Sequence, residues 1–315
     1  MARRQRTSKT RESSAVLAGL AAFVTWGLIP GFWKFLAAVP ATEILAHRYV
    51  WTMVFLTGLL TCQRRWAEVR SSARSRRALV YCLLSGSTIS INWFLFIWAV
   101  NIGRIIETSL GYFMTPLVNV LFGALFLGER LTKVQIISVC LAGLGVLNLT
   151  LGYGYFPWIA VMLCMSFGIY GLLRKQSGTA AIPGLFFETV FLAPIAMIYL
   201  GLLQTRGHLA FVKDGWLICV LLLTTGVVTA VPLIWFGYAA RNLRLTTLGF
   251  LQYLAPTCSF LLGVFVYHET FSRAHLITFS LIWLALIVFT IEAVGRLRSD
   301  RRRVVLTEAM VEPPV

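Results

Sequence analysis

Long apolar stretches with at most one charged residue each recur along this 315-residue chain and restrict what it can fold into. A helix needs about 20 apolar residues to cross a bilayer, whose hydrocarbon core holds no water to satisfy a free backbone. Ten such stretches are present, at residues 14–35, 44–62, 78–100, 107–127, 134–151, 156–173, 184–203, 216–238, 245–267 and 275–294. The sequence therefore predicts an all-α integral membrane protein with ten transmembrane helices.

The composition excludes a water-soluble domain. The chain is 58% hydrophobic and 13% charged, whereas soluble domains carry about 25% charged residues. A net charge of +16 would point to nucleic acid in a soluble protein, but 26 of the 28 basic residues lie outside the apolar stretches. Membrane orientation explains them, so no nucleic-acid partner is predicted. The six cysteines lack metal-ligand spacing, and neither a metal nor another cofactor is predicted.

The positions of Lys and Arg predict the orientation in the membrane. Cytoplasmic loops of membrane proteins are enriched in both residue types. With the N-terminus inside, the inner segments hold 22 of the 28 basic residues and the outer loops hold 4. Both termini are therefore expected in the cytoplasm. Residues 1–13 form a basic cytoplasmic segment, and residues 295–315 are predicted to be a disordered cytoplasmic tail.

Residues 14–151 and 152–294 are predicted to be two copies of one five-helix unit. Residues of the same type recur at an offset of 140 or 141 positions. The matched pairs are Gly27 and Gly168, Lys34 and Lys175, Gly86 and Gly226, Phe96 and Phe236, Asn101 and Asn242, Pro116 and Pro256, Gly123 and Gly263, and Glu129 and Glu269. Because five is odd, the second copy is inverted in the membrane. Inverted repeats are a recurring plan in secondary transporters, with the solute site near the bilayer midplane.

Ionisable groups within apolar helices are candidate functional residues, because a charge at mid-helix costs about 2.5–3.5 kcal/mol on insertion scales. The residues predicted to act in gating or coupling are Lys34, His47, Arg48, Glu107, Glu188 and Arg241. Glu107 lies one turn inside a span and is the strongest candidate for coupling proton movement to transport. Glu188 has Arg174 or Arg241 as an opposite-charge partner at the same depth. Interfacial side chains and structural ion pairs are the alternative explanation.

The deeper polar groups are neutral and suit an uncharged, partly aromatic or amphipathic solute. The residues predicted to bind or conduct it are Trp26, Asn92, Trp93, Tyr112, Asn119, Gln252 and Tyr253. Core packing and hydrogen bonds between helices are the alternative. The charged groups toward the outer mouth would suit a charged or zwitterionic solute, which is the alternative to an uncharged one. Pro116 and Pro256 are predicted to act as helix pivots in the fourth and ninth spans.

Several longer stretches resemble the RarD subgroup of the EamA-type transporters, within the drug/metabolite transporter superfamily. They include EILAHRYVW at residues 43–51, NWFLFIWAVN at 92–101, ETSLGYF at 107–113 and LGFLQYLAPT at 248–257. The resemblance implies a multi-pass permease of the bacterial inner membrane.

The function expected from the repeat and the resemblance is secondary transport of a small metabolite or drug-like solute by alternating access, with or without proton coupling. The alternative is a membrane scaffold or signalling subunit that transports nothing. No enzymatic activity is expected, because the sequence contains no nucleotide-binding or hydrolase motif. The expected partners are the solute and the lipid bilayer. The sequence does not decide between a monomer and a homodimer.

Overall fold

The computed structural model describes residues 2–128, 131–153, 156–213, 215–242 and 251–311. Within these ranges all regular structure is helical. The α-helices are α1 (Ala2–Phe35), α2 (Ala41–Cys62), α3 (Trp66–Ala73), α4 (Arg76–Asn101), α5 (Ile105–Leu127), α6 (Lys133–Tyr153), α7 (Trp158–Ser177), α8 (Ala181–Thr205), α9 (Ala210–Lys213), α10 (Gly215–Asn242), α11 (Leu254–Leu261) and α12 (Arg273–Val311). A π-helical turn, Leu262–Val266, follows α11.

Eight helical segments in the described part of the chain are long and apolar enough to cross a membrane. They are Ser14–Phe35, Ala41–Cys62, Arg76–Asn101, Ile105–Phe126, Lys133–Gly152, Ile182–Thr205, Gly215–Ala239 and Arg273–Glu292. Two shorter apolar helices, Trp158–Arg174 and Leu254–Val266, lie where the sequence predicts the sixth and ninth spans. Residues 245–250 of that ninth span lie outside the described residues.

The chain packs as two compact units. The first contains Met1–Thr115 and Trp158–Thr270, and the second contains Pro116–Pro157 and Phe271–Val315. In the first unit α10 packs against α1 and α2, α4 packs against α7 and α8, and α2 packs against α8. In the second unit α6 packs against α12. Because each unit combines segments from both predicted repeats, the repeat boundaries stay a prediction.

One core cluster of the first unit contains side chains of seven helices, which are α1, α2, α4, α5, α7, α9 and α10. Trp33, Ile44, Ile97, Ile105, Leu163 and Leu222 are almost completely buried in one cluster. Large apolar side chains such as Ile198, Trp216 and Phe265 are exposed instead. An apolar surface of this kind fits a lipid environment, where it carries no hydration cost.

Two glycines allow close contacts between helices of the first unit. At Gly226 of α10 a Cβ atom would lie 2.8 Å from the amide nitrogen of Thr52 on α2 and closer still to the carbonyl of Trp51. At Gly86 of α4 a Cβ atom would lie 3.2 Å from the Cα of Glu188 on α8. Small residues let helix backbones approach in this way.

The two predicted pivot prolines differ in their surroundings. Pro116 lies inside α5, where a proline removes a backbone hydrogen bond, and the division between the units falls at this residue. Pro256 lies in the first turn of α11, where the missing N–H costs little. The irregular part of this segment is the π-helical turn instead.

The last helix is longer than the tenth predicted span. Helix α12 continues to Val311, so the residue-294 boundary predicted for the tail is not a helix boundary. The sequence predicts disorder for residues 295–315, whereas the backbone of this segment is helical as far as Val311.

Candidate functional site in the first unit

Arg48 places a buried positive charge among aromatic rings. It is the eighth residue of α2 and is 6% exposed. The guanidinium carbon lies 3.6 Å from the ring centroid of Trp93 on α4 and 5.5 Å from that of Trp33 on α1. A desolvated cation–π contact contributes about 2 kcal/mol, whereas burying an ion costs several kcal/mol. Ring stacking therefore offsets only part of the cost of burying this charge.

The Arg48 guanidinium has no acidic partner within ion-pair distance in the described part of the chain. Its Nε atom is buried and forms no hydrogen bond there. The indole nitrogen of Trp33, which is fully buried, is also without an acceptor. Each buried donor without an acceptor costs about 1–3 kcal/mol. The site thus holds an excess of buried donors.

Glu188 forms a second charged centre on α8, and this one is compensated. It is 1% exposed, and its Oε1 atom accepts a hydrogen bond of 2.6 Å from Ser85 Oγ. Arg174 at the end of α7 places Nη1 3.5 Å from the same carboxylate oxygen. Tyr170 donates a longer hydrogen bond of 3.5 Å to Oε2. In the described part of the chain, Arg174 is thus the ion-pair partner of Glu188.

Helix α4 connects the two charged centres. Ser85 contacts Glu188, Ser90 is hydrogen-bonded to Tyr49, and Trp93 stacks on Arg48. The Tyr49 ring also lies 5.8 Å from the Trp93 ring. Ser85 and Trp93 are eight positions apart, which corresponds to about 12 Å along a helix axis. Glu188 and Arg48 thus contact α4 about two turns apart.

Asn92 holds three helices together beside this site. Its amide nitrogen donates to the Leu163 carbonyl and to Ser166 Oγ on α7, both at 3.0 Å. Its amide oxygen accepts a 2.9 Å hydrogen bond from the Tyr112 hydroxyl on α5. Because the Asn92 side chain is fully buried and satisfied by these partners, its contacts position Tyr112.

Three carboxylates lie at the starts of other helices, at what we call the Glu43 end of the first unit. Glu43 accepts a 2.8 Å hydrogen bond from the Ala210 amide at the start of α9. Glu269 accepts bonds of 2.7 and 2.8 Å from the amides of Ile105 and Ile106 at the start of α5. Negative charge is favourable at a helix N-terminus. Burial raises the pKa of Glu269, and these two amides oppose the increase.

Glu107 is the third carboxylate at the Glu43 end. Its Oε2 atom lies 3.1 Å from Arg104, one turn earlier in the chain. The amides of Ile159 and Ala160 at the start of α7 lie close enough to interact with this carboxylate. Oε1 nevertheless forms no hydrogen bond in the described part of the chain. Glu107 is 7% exposed, so its contacts are those of a buried ion pair beside a helix start.

The other predicted site residues are spread over the protein. His47 accepts a 3.1 Å hydrogen bond from Trp51 at Nδ1, and its Nε2 atom lies 3.9 Å from Glu43. Lys34 lies over the Tyr267 ring, with Nζ 5.4 Å from the centroid. The ring centroid of Trp26 lies 5.6 Å from that of Phe236.

The remaining predicted site residues are Asn119, Gln252, Tyr253 and Arg241. Asn119 is exposed and belongs to the second unit. Gln252 and Tyr253 are half-buried just before α11. The side chain of Arg241 lies outside the described residues.

Sequence reasoning missed Trp33, Tyr49 and Ser90 as members of the site. Aromatic residues in apolar spans usually contribute to packing. No local sequence pattern predicts which faces of α1 and α4 are turned toward Arg48. Glu269 was recognised only as a repeat match of Glu129. One sequence clue to its contact was available, because the first turn of any helix offers free amides to a carboxylate.

Comparison with known proteins identifies the class to which this fold belongs. The model of the EamA-like transporter family matches residues 13–151. A Bacillus subtilis protein named uncharacterized transporter YojE is 44% identical over 287 residues, covering 89% of this chain and 94% of the relative. The chain is therefore a multi-pass membrane protein of a transporter family.

The subgroup follows from a further relative. Protein RarD of Streptomyces exfoliatus is 41% identical over 296 residues, covering 94% of both chains. This chain belongs to the RarD subgroup of the EamA-like transporter family. A crystal structure that covers 90% of this chain and 99% of its own shares the fold, with a TM-score of 0.57 and 20% identity.

Proposed function

We propose that the protein is a secondary permease that moves a small metabolite or drug-like solute across the bacterial inner membrane. The proposed mechanism is alternating access of two inverted five-helix repeats, with both termini in the cytoplasm. Membership of a transporter family supports the general class. The mechanism depends on the repeat, so support for the repeat carries the proposal.

The helix packing gives that support. Suppose that a two-fold axis relates α1 to α7, α2 to α8 and α4 to α10. Rotation about this axis then places the contact between α1 and α10 on the contact between α7 and α4, and the contact between α2 and α10 on the contact between α8 and α4. The contact between α2 and α8 is placed on itself. All five pairs pack against each other in the first unit. A pseudo-two-fold axis in the membrane plane requires such exchange.

Residue positions support the same correspondence. Gly86 and Gly226, which match at an offset of 140, both lie at close helix contacts, α4 with α8 and α10 with α2. Arg48 and Glu188 also differ by 140 positions and are each the eighth residue of their helix. The two buried charged centres thus occupy equivalent places in the two repeats.

Counterflow in proteoliposomes tests transport directly. Vesicles loaded with an unlabelled solute are expected to accumulate the labelled solute, whereas protein-free vesicles are not. Solutes are chosen beforehand by thermal shift, because a ligand that binds the folded state raises its apparent stability. A membrane scaffold predicts no counterflow with any solute that binds, and that result would refute the proposal.

Proton coupling is a separate part of the proposal. If Glu107 or Glu188 carries the proton, flux should respond to an imposed proton gradient, and Glu107→Gln or Glu188→Gln should abolish the response. Glu68→Gln is a matched control, because Glu68 is in the connecting helix α3 and its side chain is 42% exposed. Gradient-independent flux that survives both substitutions would show that coupling is wrong while leaving transport intact.

A further inference from the structure

We infer that the transported solute carries an oxyanion group, such as a carboxylate or phosphate, that binds the Arg48 guanidinium beside Trp33 and Trp93. This inference rests on the proposed transport function and specifies its substrate class. It revises the expectation of an uncharged solute, which followed from the neutral side chains alone.

The difference between the two equivalent charged centres is the first observation. Glu188 has a positive partner in Arg174 and a hydrogen bond from Ser85. Arg48, at the equivalent position of the other repeat, lies against the rings of Trp33 and Trp93 and forms no ion pair in the described part of the chain. The uncompensated charge of this pair of centres is therefore positive, and an anionic ligand would balance it.

The buried donors are the second observation. Arg48 Nε and Trp33 Nε1 are both buried without an acceptor in the part of the chain that the structure describes. The two side chains are neighbours, since the guanidinium carbon lies 5.5 Å from the Trp33 ring centroid. A carboxylate or phosphate supplies only acceptor oxygens and matches the planar donor fork of arginine. The local chemistry therefore favours an oxyanion over a cation or a neutral donor.

The surrounding rings favour an apolar or aromatic body on the solute. Trp93 is only partly buried, and the Tyr49 ring lies 5.8 Å from it. The Tyr112 phenol is an electrostatic neighbour of the guanidinium. Flat aromatic faces bind aromatic and amphipathic molecules well. An aromatic or aliphatic carboxylate combines this body with the anionic group that Arg48 requires.

Thermal shift with matched acid and amide pairs tests this assignment on the purified full-length protein. The probes are acetate and acetamide, phenylacetate and phenylacetamide, and indole-3-acetate and indole-3-acetamide. Inorganic phosphate is added as a separate arm to distinguish a phosphate site from a carboxylate site. At least one acid, or phosphate, should raise the melting temperature, and its neutral counterpart should do so much less.

Substitution of Arg48 then locates the response. Arg48→Gln should weaken the binding of the active anion about tenfold to hundredfold, as expected for a lost charged hydrogen bond. Arg48→Lys keeps the charge without the planar fork and should weaken it less. Arg65→Gln, in a partly exposed pair with Glu68 at the start of the connecting helix α3, is the control and should leave binding unchanged.

The outcomes separate this inference from the proposed function. Equal shifts with acid and amide, no shift with any anion, or a shift that survives both Arg48 variants would overturn the oxyanion site. Counterflow of a neutral solute alongside any of these results would leave transport standing. Anion binding that depends on Arg48 without counterflow of any solute would support the site and refute transport. If Arg48→Gln fails to fold, Arg48→Lys and the acid-to-amide comparison in the unsubstituted protein still decide the question.

Discussion

Removing the charge of Glu188 is expected to destabilise the folded protein. Glu188→Gln keeps the size of the side chain and an oxygen that can still accept the 2.6 Å hydrogen bond from Ser85. The substitution removes the negative partner of Arg174, whose Nη1 atom lies 3.5 Å from Oε1. It therefore tests the ion pair with little change in packing.

The geometry sets the expected magnitude. Breaking a buried ion pair by removing one partner costs about 3–5 kcal/mol. The pair has a long contact of 3.5 Å, and the Arg174 side chain keeps 18% of its exposure, so solvent screens part of the remaining charge. We therefore expect a loss of about 2 kcal/mol in the free energy of unfolding.

A double-mutant cycle isolates the pair. Glu188→Gln, Arg174→Gln and the double variant are unfolded by titration with a denaturing detergent in mixed micelles. Because the double variant contains neither charge, it should be more stable than the sum of the single losses predicts, by about 1–2 kcal/mol. Additive losses would show that the two side chains do not interact, which would refute this reading of their contact.

Three further stability predictions follow from contacts in the first unit. Glu269→Ala removes the acceptor of two amides at the start of α5 and should cost about 1–3 kcal/mol in an unfolding titration, with Glu269→Gln losing less. Gly226→Ala should lower the melting temperature because its Cβ would overlap α2. Gly58→Ala should leave it unchanged or raise it, because apart from its own helix backbone nothing lies within 4 Å of the added Cβ. Asn92→Leu removes three hydrogen bonds between α4, α5 and α7 and should destabilise by about 2–4 kcal/mol, and unchanged melting would contradict the assigned role.

The membrane-spanning architecture could be predicted because it depends on local composition. Apolar stretches predict spans directly, and eight of them are long helices in the described part of the chain. The two shorter helices, Trp158–Arg174 and Leu254–Val266, also lie at predicted spans. The short helices α3 and α9 were not predicted, since four to eight residues carry too little periodic pattern.

The candidate site was predictable only in part. An ionisable residue in a span identifies itself, which is why Arg48, Glu107 and Glu188 were selected. The Arg104 partner of Glu107 follows from helical spacing, because residues three apart share a face.

The partners of Arg48 could not be predicted in this way. The contact of Arg48 with Trp93 depends on how α2 and α4 are rotated toward each other. Nothing in either segment alone specifies that rotation.

Distance measurements between spin labels test the central claim of alternating access most directly. In a cysteine-free background, one label pair at Ala38 and His208 reports on the Glu43 end, and a second at Arg74 and Gln176 reports on the opposite end. The account predicts that adding a transported solute changes the two distances in opposite directions, so that one end opens as the other closes. Distances that stay fixed, or that change in the same direction, in a sample that binds the solute would contradict alternating access by two inverted repeats.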